Sequence, residues 1–554
     1  MASNTTQPKT FTFHHAKLGD MTGLITPDNV VQFRAIPYAT IPARFKQSIL
    51  LNNLGESNRV FTKHGYACPQ TFPDRAADGG PFPNEVSPPP SNEFQCLILH
   101  INIPLTRLQS PGASKLPVLV YIHGGGFVLG SIDEQHNTAL IVEQSIRDAQ
   151  PVVAVGIQYR LGALGYLHTP EAGCANLALN DQRNALLWVQ QFVEGFGGDN
   201  ERVTVFGESA GAISICAHML SRPLRSGPLF TRAVLMSGVI GPVTAPVSVG
   251  QAEERYEALL AKVGIREEGE VGLERLRSLD VEKLVAAASE LTDEGSTLLS
   301  VRDEAWFGVD ADQVTWDRIP ELMGKCEWVD DIVLGTTSFE GTTMASRYAS
   351  ITPSAFLSSI ESQLGGPATS LISRAYNMAP SMDQNLFLTS ALRWIGDVLF
   401  DAPTHTLARH LSTSTNKRIY RYLFDVRNPF PGHALYQQPH HWVDIYFVFK
   451  AHQFRFASQR LRDISTRHAQ LWIAFANGEE PWKEYRYSGN GEERVMVADE
   501  REGWVERSVQ RVEQDLEWGW ERCEMLVQGW EEAGMRGEGF SPLDIEVLRG
   551  KRVV

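Results

Sequence analysis

The sequence predicts an α/β fold in which a mostly parallel central sheet is flanked by helices. Short apolar runs of strand length alternate with longer segments whose apolar residues recur at helical spacing, and this alternation is typical of βαβ units. The segment 181–192 has such helical spacing, and a glycine-rich turn follows it. The predicted strands in this part of the chain are 116–122, 152–157 and 203–206.

The order of motifs along the chain predicts one domain over residues 1–554, with 43% hydrophobic residues to fill a large core. The polar start, 1–10, is expected to be a disordered tail, and the Pro- and Gly-rich stretch 69–90 a long surface loop. The charged, helical stretch 250–300 is expected to be a cap inserted over the sheet. Apolar residues spaced along 504–530 predict a packed surface helix.

Charge and hydropathy exclude several classes of partner. A net charge of −15 with no basic stripe excludes nucleic acid. The chain starts without the apolar core of about 7–15 residues that a secretory signal needs, and its apolar runs fall short of the roughly 20 residues of a membrane span. We therefore expect a cytoplasmic protein with no integral membrane segment, and the sequence leaves its oligomeric state open.

The six cysteines are scattered, form no Cys-x-x-Cys pair and have no clustered histidine partners. Metal-binding sites usually bring such residues together at short, fixed spacings. We therefore predict no metal site, and the chemistry described below needs no organic cofactor either.

The segment 203–212 has the pattern of a strand, then Gly-x-Ser-x-Gly, then the small-residue start of a helix. A sharp strand-to-helix turn of this kind exposes a serine hydroxyl at the edge of a sheet. Gly207 and Gly211 remove the side chains that would clash with the neighbouring strand and helix. The N-terminus of the helix favours the negative charge that develops on a substrate. We therefore predict that Ser209 is a catalytic nucleophile.

A second motif, His-Gly-Gly-Gly at 123–126, follows directly on the strand 116–122. Acyl transfer through a serine needs N–H donors where the carbonyl oxygen becomes negative, and each donor is worth about 10²–10³ in rate. A glycine-rich turn without a catalytic partner is the alternative. Together with Ser209, the motif predicts an oxyanion hole formed by the N–H groups of Gly125, Gly126 and Ala210.

Several further blocks of sequence accompany these two motifs. They are Phe-Arg-Ala-Ile-Pro-Tyr-Ala at 33–39, Cys-Pro-Gln at 68–70, Tyr-Arg-Leu-Gly-Ala-Leu-Gly at 159–165 and Phe-Gly-Gly-Asp at 196–199. With these blocks in this order, the chain resembles the type-B carboxylesterase/lipase family, which also contains the cholinesterases, over nearly its whole length. The resemblance implies the α/β-hydrolase fold and a fungal, intracellular member of the family.

The resemblance also implies the acid of a catalytic triad. In that family the triad runs serine, acid, histidine, and the acid is usually a glutamate in a Glu-Gly turn after a strand. Glu340, which precedes Gly341 and follows the apolar run 332–335, matches this pattern. Asp330 and Asp331, just before that run, are the alternatives.

The resemblance also implies the general base of the triad. The block at 441–444, His-Trp-Val-Asp, resembles the family's His-Gly-x-Glu/Asp block. This match implies that His441 takes the proton from Ser209 and later gives it to the leaving alcohol. The neighbouring His440 is the alternative. Trp442 stands where the family usually has glycine, so we hypothesise that its indole lines or narrows the pocket beside the base.

Two further features follow from the resemblance. It implies a disulfide between Cys68 and Cys96, although the expected reducing compartment argues against that bridge. The loop between these cysteines contains no tryptophan. Cholinesterases carry a tryptophan there to bind a quaternary ammonium by a cation–π contact, so choline esters are not the expected substrates.

The expected activity is hydrolysis of a small-molecule or lipid-like carboxylic ester through an acyl-enzyme on Ser209. One alternative is an acyltransferase, transesterifying or lactone-forming enzyme that uses the same triad. A second alternative is a non-catalytic binding protein like the neuroligins, which lose triad residues and are anchored in membranes. The ester that this enzyme hydrolyses does not follow from the motifs.

Overall fold

The structure is a computed structural model that describes residues 9–55, 59–72, 80, 82–83, 85, 88–110, 112–516, 519–541 and 543. Its strands and helices alternate along the chain, as the sequence predicts. The strands are β1 (Thr10–His15), β2 (Gly19–Ile25), β3 (Val30–Pro37), β4 (Ala39–Thr40), β5 (Ile49–Leu50), β6 (Val60–Phe61), β7 (Ile98–Pro104), β8 (Leu116–Ile122), β9 (Val153–Ile157), β10 (Gly198–Glu208), β11 (Arg232–Met236), β12 (Asp331–Thr337), β13 (Arg418–Phe424), β14 (Arg494–Asp499) and β15 (Gly503–Ser508).

The helices lie between these strands, and a π-helical turn, Asp397–Asp401, leads into one of them. The longest helices follow β9, β12 and β13. The helices are α1 (Leu105–Gln109), α2 (Ala139–Arg147), α3 (Gly162–Tyr166), α4 (Leu177–Phe192), α5 (Ala210–Met219), α6 (Val249–Lys262), α7 (Gly269–Ser278), α8 (Val281–Asp293), α9 (Glu304–Phe307), α10 (Ile319–Gly324), α11 (Ala345–Tyr348), α12 (Pro353–Ala375), α13 (Gln384–Gly396), α14 (Ala402–Ser414), α15 (Ile445–Val448), α16 (Gln459–Asn477), α17 (Val509–Leu516) and α18 (Trp520–Glu532).

One large sheet organises the described part of the chain. Its strand order is β1-β2-β3-β7-β9-β8-β10-β11-β12-β13-β14-β15, with β6 paired to β2. The strands from β9 to β14 in this order run parallel to one another, whereas antiparallel pairs form both ends of the sheet. The predicted α/β fold with a mostly parallel sheet is therefore confirmed.

The central strands are mostly apolar because helices cover both faces of the sheet. Alternate side chains of β8 enter the two sides of the core: Val118, Val120 and Ile122 belong to one apolar cluster, and Leu119 and Tyr121 to the other. Helices α4 and α5 pack in the first cluster, and α2 and α16 pack in the second. This two-sided burial fixes the register of the strands.

The boundaries predicted from sequence agree with the structure in the central strands. The range 116–122 is β8, 152–157 contains β9, 203–206 lies inside the longer β10, and α4 includes all of 181–192. The single helix predicted over 504–530 is wrong. Residues 503–508 form β15, which pairs with β14, and α17 and α18 follow it. Residues 503–508 form a strand because they pair with β14. The local periodicity of the sequence does not reveal this partner.

Three other predicted segments are described in full or only in part. Residues 1–8 of the predicted tail lie outside the described residues, and Thr10 begins β1. In the loop predicted at 69–90, residues 73–79, 81, 84, 86 and 87 also lie outside them. The stretch 250–300 contains α7, α8 and nearly all of α6, and α8 packs on α3.

A buried ion pair links the end of β9 to α4. Arg160 donates to Asp181 through Nε (2.7 Å to Oδ2) and Nη2 (2.8 Å to Oδ1), and its Nη1 donates to the carbonyl of Lys46 at 2.8 Å. Both charged side chains are almost fully excluded from solvent. Removing one member of such a pair leaves an uncompensated buried charge, which costs about 3–5 kcal/mol.

We predict that Asp181→Asn lowers the free energy of unfolding by about 3–5 kcal/mol, because the guanidinium of Arg160 loses its counter-charge. Denaturant unfolding followed by tryptophan fluorescence measures the change. The control is Glu267→Gln in the exposed pair with Arg275, for which we expect a much smaller change. Equal effects of the two substitutions would contradict the role of the buried pair.

Candidate active site

The proposed catalytic groups lie where neighbouring parallel strands end. Strands β8, β10, β11 and β12 are adjacent and parallel, so the segments that follow them meet at one edge of the sheet. In open α/β sheets this carboxyl edge is the usual place for ligands. The triple glycine follows β8, Ser209 follows β10, Ser237 follows β11, and Glu340 lies three residues after β12.

Ser209 occupies a sharp turn between β10 and α5. Its φ of 54° and ψ of −122° are unfavourable for a residue with a side chain, and strain of this kind clusters at functional sites. Its N–H donates to the Met236 carbonyl at 2.9 Å, which ties the turn to β11. A side chain at Gly211 would come within 2.0 Å of the Ile122 carbonyl, so the close packing of α5 on β8 requires glycine there.

The three predicted oxyanion donors are available around this turn. Gly125 and Gly126 lie in an irregular turn after β8, and Ala210 is the first residue of α5. None of their N–H groups donates a hydrogen bond to another described residue. Three unpaired N–H groups and the positive end of α5 therefore remain available for a developing oxyanion.

The structure brings His441 and Glu340 together. The imidazole Nδ1–H donates to Glu340 Oε2 at 2.6 Å. The other carboxylate oxygen, Oε1, accepts from Ser237 Oγ and from the Thr337 N–H, both at 2.6 Å. The segments on either side are held together as well, because the Phe339 N–H donates to the Pro439 carbonyl at 3.1 Å. The ring orientation and tautomer of His441 are thus fixed.

The alternative residues lie elsewhere. Asp331 begins β12, at the opposite end of the strand from Glu340, and pairs with Arg232 and Arg418. Asp330 is exposed. His440 is buried, its Nδ1 is bonded to the His441 carbonyl, and its Nε2 accepts from Asn428 at 3.1 Å. Burial lowers the pKa of His440 to about 4, so its ring stays neutral in a structural role.

Two buried carboxyl groups accompany the triad residues. Glu208 Oε1 lies 3.1 Å from His441 Nε2, but neither Glu208 oxygen makes a hydrogen bond with a described residue. Burial, then Asp444 and Glu340, raise the pKa of Glu208 well above its usual range. Burial and the Glu340 charge raise the pKa of Asp444 to about 7, although Tyr422 donates to it at 3.1 Å.

Ser209 and His441 are close in the fold but not yet hydrogen-bonded. Among the hydrogen bonds of the described residues, none joins Ser209 Oγ to His441 Nε2, and Glu208 Oε1 lies 3.1 Å from Nε2. Catalytic hydrogen bonds are often long or poorly aligned before substrate binds and tighten in the complex.

Phe400 covers the imidazole of His441. The two rings stack with centroids 4.2 Å apart and an angle of 20° between their planes. Phe400 belongs to the π-helical turn Asp397–Asp401, which leads directly into α14. Single π-helical turns are frequent at functional sites because they shift one side chain out of the regular helical position.

Sequence reasoning missed three residues of this site. Glu208 occupies the variable position of Gly-x-Ser-x-Gly, and Ser237 stands in a Ser-Gly pair directly after β11, so position relative to a strand end was the available signal. Phe400 has no local signal, because only the tertiary fold brings residue 400 against residue 441.

Cys68 and Cys96 are free thiols in the structure, with side chains in hydrogen-bond reach of each other, so the implied disulfide stays a prediction. Cys68 and Cys96 are both fully buried thiols. The Leu161 N–H donates to Cys68 Sγ at 3.3 Å, and the Cys96 thiol donates to the Glu93 carbonyl at 3.6 Å. Each sulfur therefore has a hydrogen-bond partner in its reduced form.

Among the described residues, no group of three or more His, Cys, Asp or Glu side chains is arranged to hold a metal ion. No helix in the same part of the chain combines the length and apolar character that a membrane crossing requires.

Known proteins resemble this chain over most of its length. The model of the carboxylesterase family matches residues 12–507. Lipase 3 of Yarrowia lipolytica is 28% identical over 462 residues, which cover 82% of this chain and 86% of that protein. Para-nitrobenzyl esterase of Bacillus subtilis is 30% identical over 480 residues, with coverage of 82% and 88%. A solved PNB esterase structure superposes with a TM-score of 0.73 at 25% identity, covering 93% of this chain and 99% of that one.

The raised pKa of Asp444 predicts how stability depends on pH. A carboxyl with a pKa of about 7 in the folded state and about 3.9 in the unfolded state binds more protons when folded, so stability falls as pH rises between these values. We predict that Asp444→Asn, which keeps an acceptor for Tyr422, raises the melting temperature relative to the original protein more at pH 7.5 than at pH 4.5.

Thermal unfolding at the two pH values measures this difference. The control is Asp463→Asn, because Asp463 is exposed on α16 and its carboxyl is solvated in both states. A melting-temperature difference for Asp444→Asn that does not change with pH would show that the buried carboxyl is ionised throughout.

Proposed function

The chain belongs to the carboxylesterase family, and from that premise we propose that Ser209, His441 and Glu340 hydrolyse a small-molecule or lipid-like ester through an acyl-enzyme. Carboxylic ester hydrolysis by a serine is the activity of the family. The observation that carries the assignment of residues is the 2.6 Å hydrogen bond between His441 and Glu340, at the edge of the sheet where Ser209 lies on its strained turn.

In the first half of the reaction, Ser209 Oγ attacks the ester carbonyl while its proton passes to His441 Nε2. The carbonyl oxygen becomes negative and is stabilised by the N–H groups of Gly125, Gly126 and Ala210. The bond to the alcohol oxygen then breaks, and the proton on Nε2 passes to that oxygen. Glu340 stays ionised and stabilises the imidazolium that exists between the two transfers.

In the second half, water replaces the alcohol. His441 Nε2 takes a proton from the water, whose oxygen attacks the acyl carbonyl. The bond to Ser209 Oγ breaks, the proton returns to the serine, and the carboxylic acid leaves. The relatives reported above are named as a lipase and esterases, so they do not favour the alternatives of acyl transfer to another acceptor or of a non-catalytic binding protein.

We predict that Ser209→Ala lowers kcat/KM for short p-nitrophenyl esters by at least about 10⁴-fold, because the nucleophile is removed. Release of p-nitrophenolate measures the rate. The control is Ser221→Ala, a partly buried serine whose hydroxyl bonds only the His218 carbonyl, and it should keep nearly full activity. Hydrolysis that survives in Ser209→Ala would refute the proposed nucleophile.

We predict that Phe400→Leu lowers kcat several-fold and leaves KM nearly unchanged. The stacked ring restricts the imidazole of His441, and a mispositioned base impairs the chemical step more than substrate binding. Phe400→Tyr, which keeps the aromatic face, should restore most of kcat. A change in KM alone, or no recovery with tyrosine, would indicate that Phe400 only fills space.

A further inference from the structure

Trp442 holds a backbone conformation that favours glycine. Its φ is +83°, in the left-handed region where a side chain crowds the backbone. The turn around it imposes this conformation, since the Val443 N–H donates to the His440 carbonyl and the Ile445 N–H to the Trp442 carbonyl, both at 3.1 Å. A large side chain in this conformation lowers the stability of the protein. The indole is therefore expected to have a role, and its contacts indicate which one.

The indole lies beside Gly124 of the oxyanion turn, which Glu208 also borders. A methyl group placed on Gly124 would be 3.1 Å from Trp442 Cζ3 and 2.7 Å from Glu208 Oε2. The ring edge and the buried carboxyl therefore share the space above Gly124. His136 meets the indole edge-on, with centroids 5.6 Å apart and an angle of 80°. Trp442 is partly exposed, whereas Glu208 has no exposed surface, so a ligand in the site meets the indole.

This space adjoins the atom that protonates the leaving alcohol. The alcohol oxygen must come within hydrogen-bond reach of His441 Nε2 when the ester bond breaks. Glu208 Oε1 lies 3.1 Å from that same nitrogen, and the other oxygen of the Glu208 carboxyl borders Gly124, as the indole does. The part of the ester that extends beyond the alcohol oxygen on this side is directed toward Trp442.

We propose that Trp442 is a specificity-determining residue that limits the size of the alcohol part of the ester, by filling the space over Glu208 and Gly124 next to His441 Nε2. This inference rests on the proposed function. The acyl part, which stays on Ser209 after the alcohol has left, does not depend on the indole in this arrangement.

The experiment compares two ester series by titration of the released acid, which needs no chromophore. The first series keeps acetate as the acid and enlarges the alcohol from ethyl through butyl to cyclohexyl. The second keeps methanol as the alcohol and lengthens the acid from acetate to octanoate. For Trp442→Gly we expect the ratio of kcat/KM for cyclohexyl acetate to that for ethyl acetate to rise about tenfold or more, in keeping with the 10–200-fold that small changes in pocket fit produce.

The ratio of kcat/KM for methyl octanoate to that for methyl acetate should stay within about twofold of its original value. The reason is that a side chain that contacts only the alcohol does not discriminate between acyl chains. Trp442→Ala removes the indole but keeps the backbone strain. It should shift the alcohol ratio like the glycine variant while melting at a lower temperature. Trp442→Phe should give an intermediate shift, and it serves as the test if the smaller variants do not fold.

The matched control is Trp504→Ala, because Trp504 is another partly buried indole packed on the same apolar cluster but lies on β15. Its alcohol ratio should not change. An unchanged ratio in the Trp442 variants that still hydrolyse ethyl acetate, or a shift in the acyl series instead, overturns the inference. Loss of hydrolysis in Ser209→Ala tests the proposed function separately, so the two ideas fail in different assays.

Discussion

The carboxylate of Glu340 is the constraint on which the site depends. It accepts hydrogen bonds from Ser237 Oγ, the Thr337 N–H and His441 Nδ1, each at 2.6 Å. These donors come from just after β11, from the end of β12 and from the loop after β13, so one buried side chain joins three neighbouring strand ends. With its carboxylate satisfied in this way, Glu340 is held in one orientation, and the imidazole bonded to it is held as well. The sheet therefore sets the geometry of the base.

The same cluster brings three buried carboxyl groups together. Glu340 has three donors and Asp444 accepts one hydrogen bond from Tyr422, whereas neither oxygen of Glu208 makes a hydrogen bond with a described residue. Ionising all three buried acids would place like charges together. Burial and this repulsion raise the pKa of Glu208 well above its usual range and that of Asp444 to about 7.

The fold and the turns that carry Ser209 and Gly125 could be predicted because their signals are local, whereas the proposed roles of Glu340 and His441 came from the resemblance to a family. Ser209, Gly125 and Glu340 each follow a strand, and a strand followed by its turn residues is visible in a short stretch of sequence. Phe400 could not be predicted, since its role arises from a contact with a residue 41 positions away along the chain. Ser237 follows a strand end, but its bond to Glu340, 103 positions away, is not visible in the sequence. The same limit explains why β15 was not predicted. Its local pattern is typical of a helix, but pairing with β14 makes the segment a strand.

Trp442 shows where local rules and function diverge. A left-handed φ beside a catalytic base normally calls for glycine, and real proteins break such rules mainly at functional or strained sites. The indole does not merely tolerate the turn, because a methyl group on Gly124 would lie 3.1 Å from its Cζ3 and 2.7 Å from Glu208 Oε2, so the ring and the carboxyl both border Gly124. Burial is the largest cause of the raised pKa of Glu208, and Asp444 and Glu340 add to it. The backbone strain at Trp442 therefore coincides with a side chain that borders the proposed oxyanion turn, which a purely structural turn residue would not need to do.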